Sequence, residues 1–394
     1  MSQNLLYIAH RTPFPPDKGD RIRNWNVLRF LANRANVHFA CLADEPVSEE
    51  TRQAISNLCI KLKIVPIDRR RWLRSMASAF MGGTFSEGAF SSPELRRSLK
   101  DWARQTRFDA VIVSASSLTP YLCQLPGLPA LVDLVDVDSQ KCLDYAAASS
   151  FPKSLLYQLE GTRLRRLERD LPAKCKAVLL VSDAEARIYK QYARPGVVMT
   201  TTNGVDLDYF KPRDLPQETA CTFVGALDYK PNVEGACWFA RTIWPSLYRR
   251  RPDLRFRVVG RRPSPAIRSL SGCPGIEIVG QVPDVRPWIA RSTVVVVPLR
   301  IARGVQNKVL EALAMEKAVI SSPTALNGLQ AVPGEHLLAA SSALEWIETI
   351  ERLLDDAKLR RRLGTGGRTY VELNHTWDRC LEPLAEILKL TAAS

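Results

Sequence analysis

Residues 293–328, TVVVVPLRIARGVQNKVLEALAMEKAVISSPTALNG, decide the fold. Thr293 and four valines run unbroken into Pro298, and an apolar run of that length ended by a breaker reads as a buried parallel strand. A loop follows over 299–306. From Asn307 the period is helical: Val309, Leu310, Leu313 and Ala314 share one face, and Asn307, Lys308 and Glu311 lie on the opposite one. The helix is expected to end near Glu316, and 318–322 reads as a second buried strand. The unit is therefore strand, glycine-bearing loop, helix, strand, which is the repeating unit of α/β proteins with parallel sheets.

The loop and the helix start suit a diphosphate. Gly304 lets backbone approach a ligand, the helix N-terminus offers unpaired N–H groups and a positive dipole end, and Arg300, Arg303 and Lys308 add full charges. Glu311, one turn beyond Asn307, can reach past the phosphates to a sugar hydroxyl. A βαβ unit with a capped helix and solvated arginines fits the same spacing, so both readings stand at this point.

The order Pro298, Arg303-Gly304, Asn307-Lys308-Val309-Leu310-Glu311-Ala312-Leu313-Ala314, strand, Gly328 resembles the donor-sugar segment of the large retaining glycosyltransferase family 4. In that family two glutamates flank seven residues, and the second contacts the ribose of the nucleotide sugar. Glu311 matches the second, but Arg303 stands where the first is expected, and an arginine cannot accept hydrogen bonds from the sugar's far hydroxyls. The phrase GVQNKVLEALAM is most similar to bacterial sugar transferases associated with exosortase and exopolysaccharide gene systems. The resemblance implies an α/β protein of GT-B type, two Rossmann-like domains facing a cleft, with the donor in the C-terminal domain and the acceptor in the N-terminal one.

Composition agrees with two domains, since 394 residues exceed one compact core. Apolar residues at 46% and charged residues at 24% describe a soluble globular protein. No apolar run approaches a membrane span, and MSQNLLYIAHRTPFP lacks a basic start followed by an apolar core, so a cytoplasmic location, peripheral at the inner membrane face, is expected. Nine cysteines lack any C-x-x-C pair and are expected to be reduced. With four histidines, no metal centre and no required cofactor are expected, although a magnesium ion held on a nucleotide stays open. Arginine supplies most of the net charge of +14. No nucleic-acid motif accompanies it, so anionic lipid and diphosphate substrates are the expected partners and nucleic acid is not.

In the first half, strands are expected at 5–9, 37–43, 62–67, 110–113, 131–137, 177–181 and 197–201, with helices over 49–58 and 155–171. The loop after the first strand, HRTPFPPDKGDR, holds three prolines, and Asp20 is expected to cap a helix from Arg21. Loops at strand carboxyl ends are where α/β sheets bind ligands. In the resembled family this loop, here Lys18, Gly19, Asp20 and Arg21, faces donor phosphates and acceptor; an ordinary proline-rich connection is the alternative. Asp138, at the end of the 131–137 strand, can orient an acceptor hydroxyl or stabilise positive charge on a transferring sugar, or else Asp138 or Ser139 caps the next helix. Residues 68–83, DRRRWLRSMASAFMGG, carry what an interfacial helix needs to lie on an anionic membrane, and equally suit an arginine-rich surface helix with one buried face.

In the second half, Asn203-Gly204-Val205-Asp206 reads as a tight turn, because Asn and Gly tolerate positive φ. That phrase marks the domain passage in the resembled family, which sets an N-terminal domain at 1–205, a C-terminal domain at 206–375 and a closing helix at 376–394 that packs back on the first domain. A strand over 221–226 leads into a loop with Gly225, and Asn232 is expected to cap the helix that follows. Family members carry an arginine and a lysine here for the diphosphate. Lys230 matches the lysine, Ala226 replaces the arginine, and Arg303 is expected to supply the missing charge. Further strands are expected at 256–260, 276–280 and 337–340, and the loop 281–285, with Val282, touches the base through its backbone in relatives.

The resemblance thus places Gly225, Lys230, Val282, Arg303, Gly304, Asn307, Lys308, Val309 and Glu311 at a UDP-, GDP- or ADP-sugar. Catalysis falls to Lys230, Arg303 and Lys308 on the leaving diphosphate, with Asp138 beside the transferring sugar. The expected reaction is retaining transfer to a lipid-linked glycan in exopolysaccharide or surface glycan synthesis. No carboxylate pair at glycosidase spacing is evident. Two alternatives remain, a nucleotide-sugar epimerase of the same fold and a non-catalytic nucleotide-sugar-binding partner of a polysaccharide assembly complex.

Overall fold

Each buried apolar run becomes one strand of a parallel sheet, and there are two such sheets. The computed structural model describes residues 2–391. The first compact unit holds the described residues up to Thr202 and those from Leu381 onward; the second is Asn203–Cys380.

The first sheet contains β1 (Asn4–Ala9), β2 (Asn36–Ala43), β3 (Lys61–Pro66), β4 (Ala110–Ser114), β5 (Ala130–Val135), β6 (Ala177–Leu180) and β7 (Val198–Thr200). Their order across the sheet is β3-β2-β1-β4-β5-β6-β7, every pairing parallel. In register, Leu6 lies between His38 of β2 and Val111 of β4. The second sheet contains β8 (Glu218–Val224), β9 (Arg255–Val259), β10 (Ile276–Gly280), β11 (Ser292–Val297), β12 (Val319–Ser321) and β13 (Leu338–Ala339), in the order β10-β9-β8-β11-β12-β13. Both orders grow outward from the first strand in two directions, the doubly wound Rossmann pattern, so each sheet has one switch point: β1/β4 in the first, β8/β11 in the second. All of β11 is buried, as the valine run requires.

Four local expectations are corrected. Asp20 does not cap its helix, which spans Gly19–Ala32 with Lys18 at the cap, because the Asp20 carboxylate is taken by Arg11 and His10. Asn232 lies inside the helix Lys230–Trp238, whose cap is Tyr229. Neither Asp138 nor Ser139 caps the helix Asp138–Ala147; β5 ends earlier than expected because Val135 adopts a φ of 67°, and the Ser139 N–H is bound by the Glu168 carboxylate from another helix. Asn203 and Gly204 have no positive φ. Gly204 is needed for space instead, since a Cβ there would lie 2.6 Å from the Trp377 backbone nitrogen.

Hydrogen bonding explains where the first unit stops. Thr201 accepts from Arg23 through its carbonyl at 2.9 Å and its hydroxyl at 2.6 Å, which ties it to β5 through the Arg23–Asp133 pair. Two residues on, the Asn203 carbonyl accepts from His375 Nδ1 at 2.9 Å and the Val205 N–H donates to the His375 carbonyl at 2.8 Å, both within the second unit.

Candidate functional site

The β8/β11 switch point assembles most of the residues singled out above. The loop after β8 carries Gly225, and the loop after β11 runs from Pro298 to Gln306 before the helix Asn307–Ala314. Glycines keep these segments close. A Cβ on Gly235 would lie 2.7 Å from the Pro298 carbonyl, so the helix Lys230–Trp238 packs directly on the end of β11. Gly304 takes a φ of 59°, the left-handed region that favours glycine, and a Cβ on Gly328 would lie 2.2 Å from its carbonyl oxygen.

Lys308 and Glu311 sit half-buried one turn apart on the solvent-side face of their helix. Lys308 Nζ donates to Asn232 Oδ1, and Asn232 Nδ2 donates to the Ala226 carbonyl at 2.9 Å, so the buried amide holds the ammonium beside the β8 loop. The ammonium also lies 5.0 Å from the Phe223 ring centroid. A Cβ on Gly225 would come within 2.8 Å of Asn232 Nδ2 and 3.2 Å of Lys308 Nζ, so this pair needs a glycine opposite. Burial pushes the Lys308 ammonium down to about 8, against the pull of Glu311. Burial likewise pushes the Glu311 carboxyl up to about 7, against the pull of Lys308. Charge on either group carries a cost that the protein alone does not offset. A ligand bringing an anion to Lys308 and hydroxyls to Glu311 would offset it.

The other second-unit residues are placed as follows. Lys230 opens its helix, exposed, 3.8 Å from Glu234. Asn307 Oδ1 accepts from Asn203 Nδ2 at 3.0 Å, and the Arg303 carbonyl accepts from Gln306 Nε2 at 2.8 Å. The Val309 side chain is in the core, and its N–H donates to the Gln306 carbonyl at 2.9 Å. Val282 is half-buried in a loop stiffened by Arg286, which bonds Asp284 at 2.8 Å and lies 3.5 Å over the Tyr209 ring. Sequence reasoning missed two features here: Asn232 as the partner of Lys308, and the Tyr209–Arg286 stack. Pro231 was the available signal for the first, because proline belongs to a helix's first turn and so puts Asn232 inside the helix rather than at its cap.

In the first unit, the charged residues after β1 pair with one another and with Asp44 and Glu45, which follow β2. Burial opposes ionisation of Asp20, but His10 at 3.3 Å and Arg11 at 3.0 Å outweigh it and hold the carboxyl well below the usual range. Arg21 is buried and paired with Glu45 at 2.8 Å and Asp17 at 3.3 Å; Lys18 lies 4.0 Å from Glu45, and nothing crowds Gly19. Asp138 Oδ2 accepts from Ser116 Oγ at 3.0 Å, a contact made after β4 and β5, beside the β1/β4 switch point. Its helix is anchored by Glu168, which accepts from the Ser139 N–H at 3.0 Å and the Tyr192 hydroxyl at 2.6 Å, and which burial pushes up to about 7. Among the described residues, no group of three or more His, Cys, Asp or Glu is placed to hold a metal ion.

Two parallel-sheet Rossmann-like domains of this kind are the fold of GT-B glycosyltransferases. Residues 218–356 match the family described as Glycosyl transferases group 1, and this stretch contains both loops of the β8/β11 site. No curated protein matches the chain by sequence. Among solved structures, the chain is similar to a sucrose-phosphate synthase from Thermosynechococcus elongatus, at 18% identity and a TM-score of 0.73 over 98% of both chains. It is similar to the Anabaena protein HepE in complex with UDP, at 12% identity and a TM-score of 0.70, covering 98% of this chain and 100% of the other. It also resembles WaaG, described as a glycosyltransferase involved in lipopolysaccharide biosynthesis, at 14% identity and a TM-score of 0.68, covering 97% and 99% of the two chains.

Proposed function

We propose that this chain is a nucleotide-sugar-dependent glycosyltransferase that acts with retention on a lipid-linked glycan acceptor in surface glycan or exopolysaccharide synthesis. The observation that carries the reading is the Lys308–Asn232–Glu311 arrangement at the β8/β11 switch point: a costly ammonium beside a glycine loop and a costly carboxyl one turn deeper. A nucleoside diphosphate sugar meets both demands, with phosphate on Lys308 and sugar hydroxyls on Glu311. The match of residues 218–356 and the UDP carried by the similar Anabaena protein support a donor of that class. As the glycosidic bond breaks, negative charge grows on the leaving diphosphate; Lys308, Lys230, Arg303 and the N–H groups opening the helix Asn307–Ala314 are the groups we assign to stabilise it. Asp138 is the group we assign to the sugar-acceptor side.

The test is acceptor-dependent release of nucleoside diphosphate from UDP-, GDP- and ADP-sugars with lipid-linked glycan extract, for the wild type, Lys308→Ala and Glu311→Ala. Release that both variants lose supports a transferase, and the anomeric configuration of the product, read by NMR, tests retention. Donor binding without release under any extract would favour the binding-partner alternative, for which the observation is Arg303 in place of a glutamate. Sugar conversion on the nucleotide with no acceptor present would favour an epimerase.

A further inference from the structure

We propose that the helix Arg71–Phe80 and the first turns of the helix Lys153–Asp170 form one surface that docks on an anionic lipid bilayer. The first helix is amphipathic in the reverse of the usual sense. Its buried positions are the small residues Ser75 and Ala79, packed so closely on the next helix that a Cβ on Gly88 would lie 2.3 Å from the Arg74 carbonyl. Its large apolar residues point to solvent: Trp72 is 70% exposed, Phe80 is 95% exposed, and Leu73 and Met76 are exposed with them. A helix that needed a core face would bury the tryptophan and phenylalanine and expose the serine.

The second helix continues this face. Arg163 Nη1 donates to the carbonyls of Ala79 at 2.6 Å and Gly83 at 2.9 Å, which locks the end of the first helix against the second. Glu160 accepts from the N–H groups of Phe85 at 2.7 Å and Ser86 at 3.0 Å on the same side. Counting back from Arg163, Leu159 and Leu156 lie four and seven residues earlier, on the same side of the helix as Arg163. Leu156 is exposed, as are Leu155 and Phe151 beside it. So exposed apolar residues continue along the second helix from where Arg163 holds the end of the first.

Charge identifies the occupant. Arg69, Arg70, Arg71 and Lys153 are exposed around the apolar residues, and the one acid among them, Asp68, is engaged by Arg74 at 2.9 Å. Exposed aromatic and aliphatic residues bordered by exposed cations suit an interface of acyl chains and anionic headgroups, where tryptophan and arginine lie at the boundary. Among the described residues no helix is long and apolar enough to cross a membrane, so this contact would hold the protein on the surface of the bilayer. The inference draws on the proposed function only for the lipid-linked acceptor, and its test needs neither donor nor acceptor.

The experiment is flotation of the full chain with phosphatidylcholine vesicles, with and without phosphatidylglycerol, at low and high salt. The expected result is binding to the anionic vesicles that salt weakens, and a fall in partition of about tenfold or more for Trp72→Ser with Phe80→Ser and, separately, for Leu155→Ser with Leu156→Ser. All four residues are exposed, so melting temperature and nucleotide-sugar binding should be unchanged, which separates this result from failure of the transferase reading. Absence of wild-type binding to either vesicle would overturn the proposal, and so would undiminished binding by the Leu155/Leu156 variant. A dimer that the Trp72/Phe80 variant dissociates, with no vesicle binding, would show that a second copy covers the face.

Discussion

Replacing Lys308 by methionine should make the donor-free protein no less stable while weakening donor binding. Burial holds the ammonium at about 8 instead of 10.5, and at neutral pH this costs the folded state about 3 kcal/mol. Methionine fills similar volume without charge, which removes that cost. It also leaves Asn232 Oδ1, in a residue only 4% exposed, without its donor, which costs about 1–3 kcal/mol. The net change is a gain of roughly 0–2 kcal/mol. The sign can be checked against pH. Below 8 both states are protonated and the wild type carries the full penalty; between about 8 and 10.5 the folded state loses its proton first, so wild-type stability should rise with pH. The variant should lack that rise. Losing a charge-assisted contact to the diphosphate should weaken donor binding by roughly 1.5–3 kcal/mol, or about 10- to 150-fold. Thermal unfolding across pH 7–10, about the range of the lysine titration, would be paired with calorimetric titration of sugar nucleotide. A variant that is clearly less stable than wild type, or that binds donor equally well, would refute the view that Lys308 is held charged for a ligand.

Three further outcomes are expected. Donor affinity should peak between about pH 7 and pH 8, falling on the acid side as Glu311 gains a proton and on the alkaline side as Lys308 loses one, and Glu311→Gln should flatten the acid limb; an unchanged profile in that variant would count against its contact with the sugar nucleotide. Gly225→Val should weaken donor binding more than it lowers the melting temperature, because its Cβ would displace Asn232 and Lys308 rather than core residues, and titration alongside melting decides this. Glu168, at about 7 instead of 4.5, favours its protonated form in the fold, so its contribution is present below pH 4.5 and about 3 kcal/mol of it is lost as pH rises through 7. Glu168→Gln should remove that slope from stability measured by urea titration, and a slope that persists would assign it elsewhere.

The α/β class, the parallel strands and the strand–loop–helix segment from Ser292 to Ala314 were legible in the sequence because they depend on local patterns: valine runs ended by breakers, a helical period, a glycine before a helix. The valine run at β11 and the polar face of the next helix needed no long-range information, and so Lys308 and Glu311 could be named in advance. Caps were less legible. Asp20 and Asn232 have side chains that can cap, but each lies inside its helix, and tertiary partners take both, His10 and Arg11 in one case and Lys308 in the other. Only the tertiary structure decided those competitions, since a carboxylate or amide takes whichever donor the packing brings within reach. It alone also showed that β8 and β11 are neighbours, which brings Gly225, Asn232 and Lys308 together from segments some seventy to eighty residues apart. And for residues 68–83, whose composition fits a buried face or a membrane face equally, burial of Ser75 and Ala79 rather than Trp72 and Phe80 set the orientation. A side chain's exposure depends on what the rest of the chain packs against, and that is not written in its own neighbourhood.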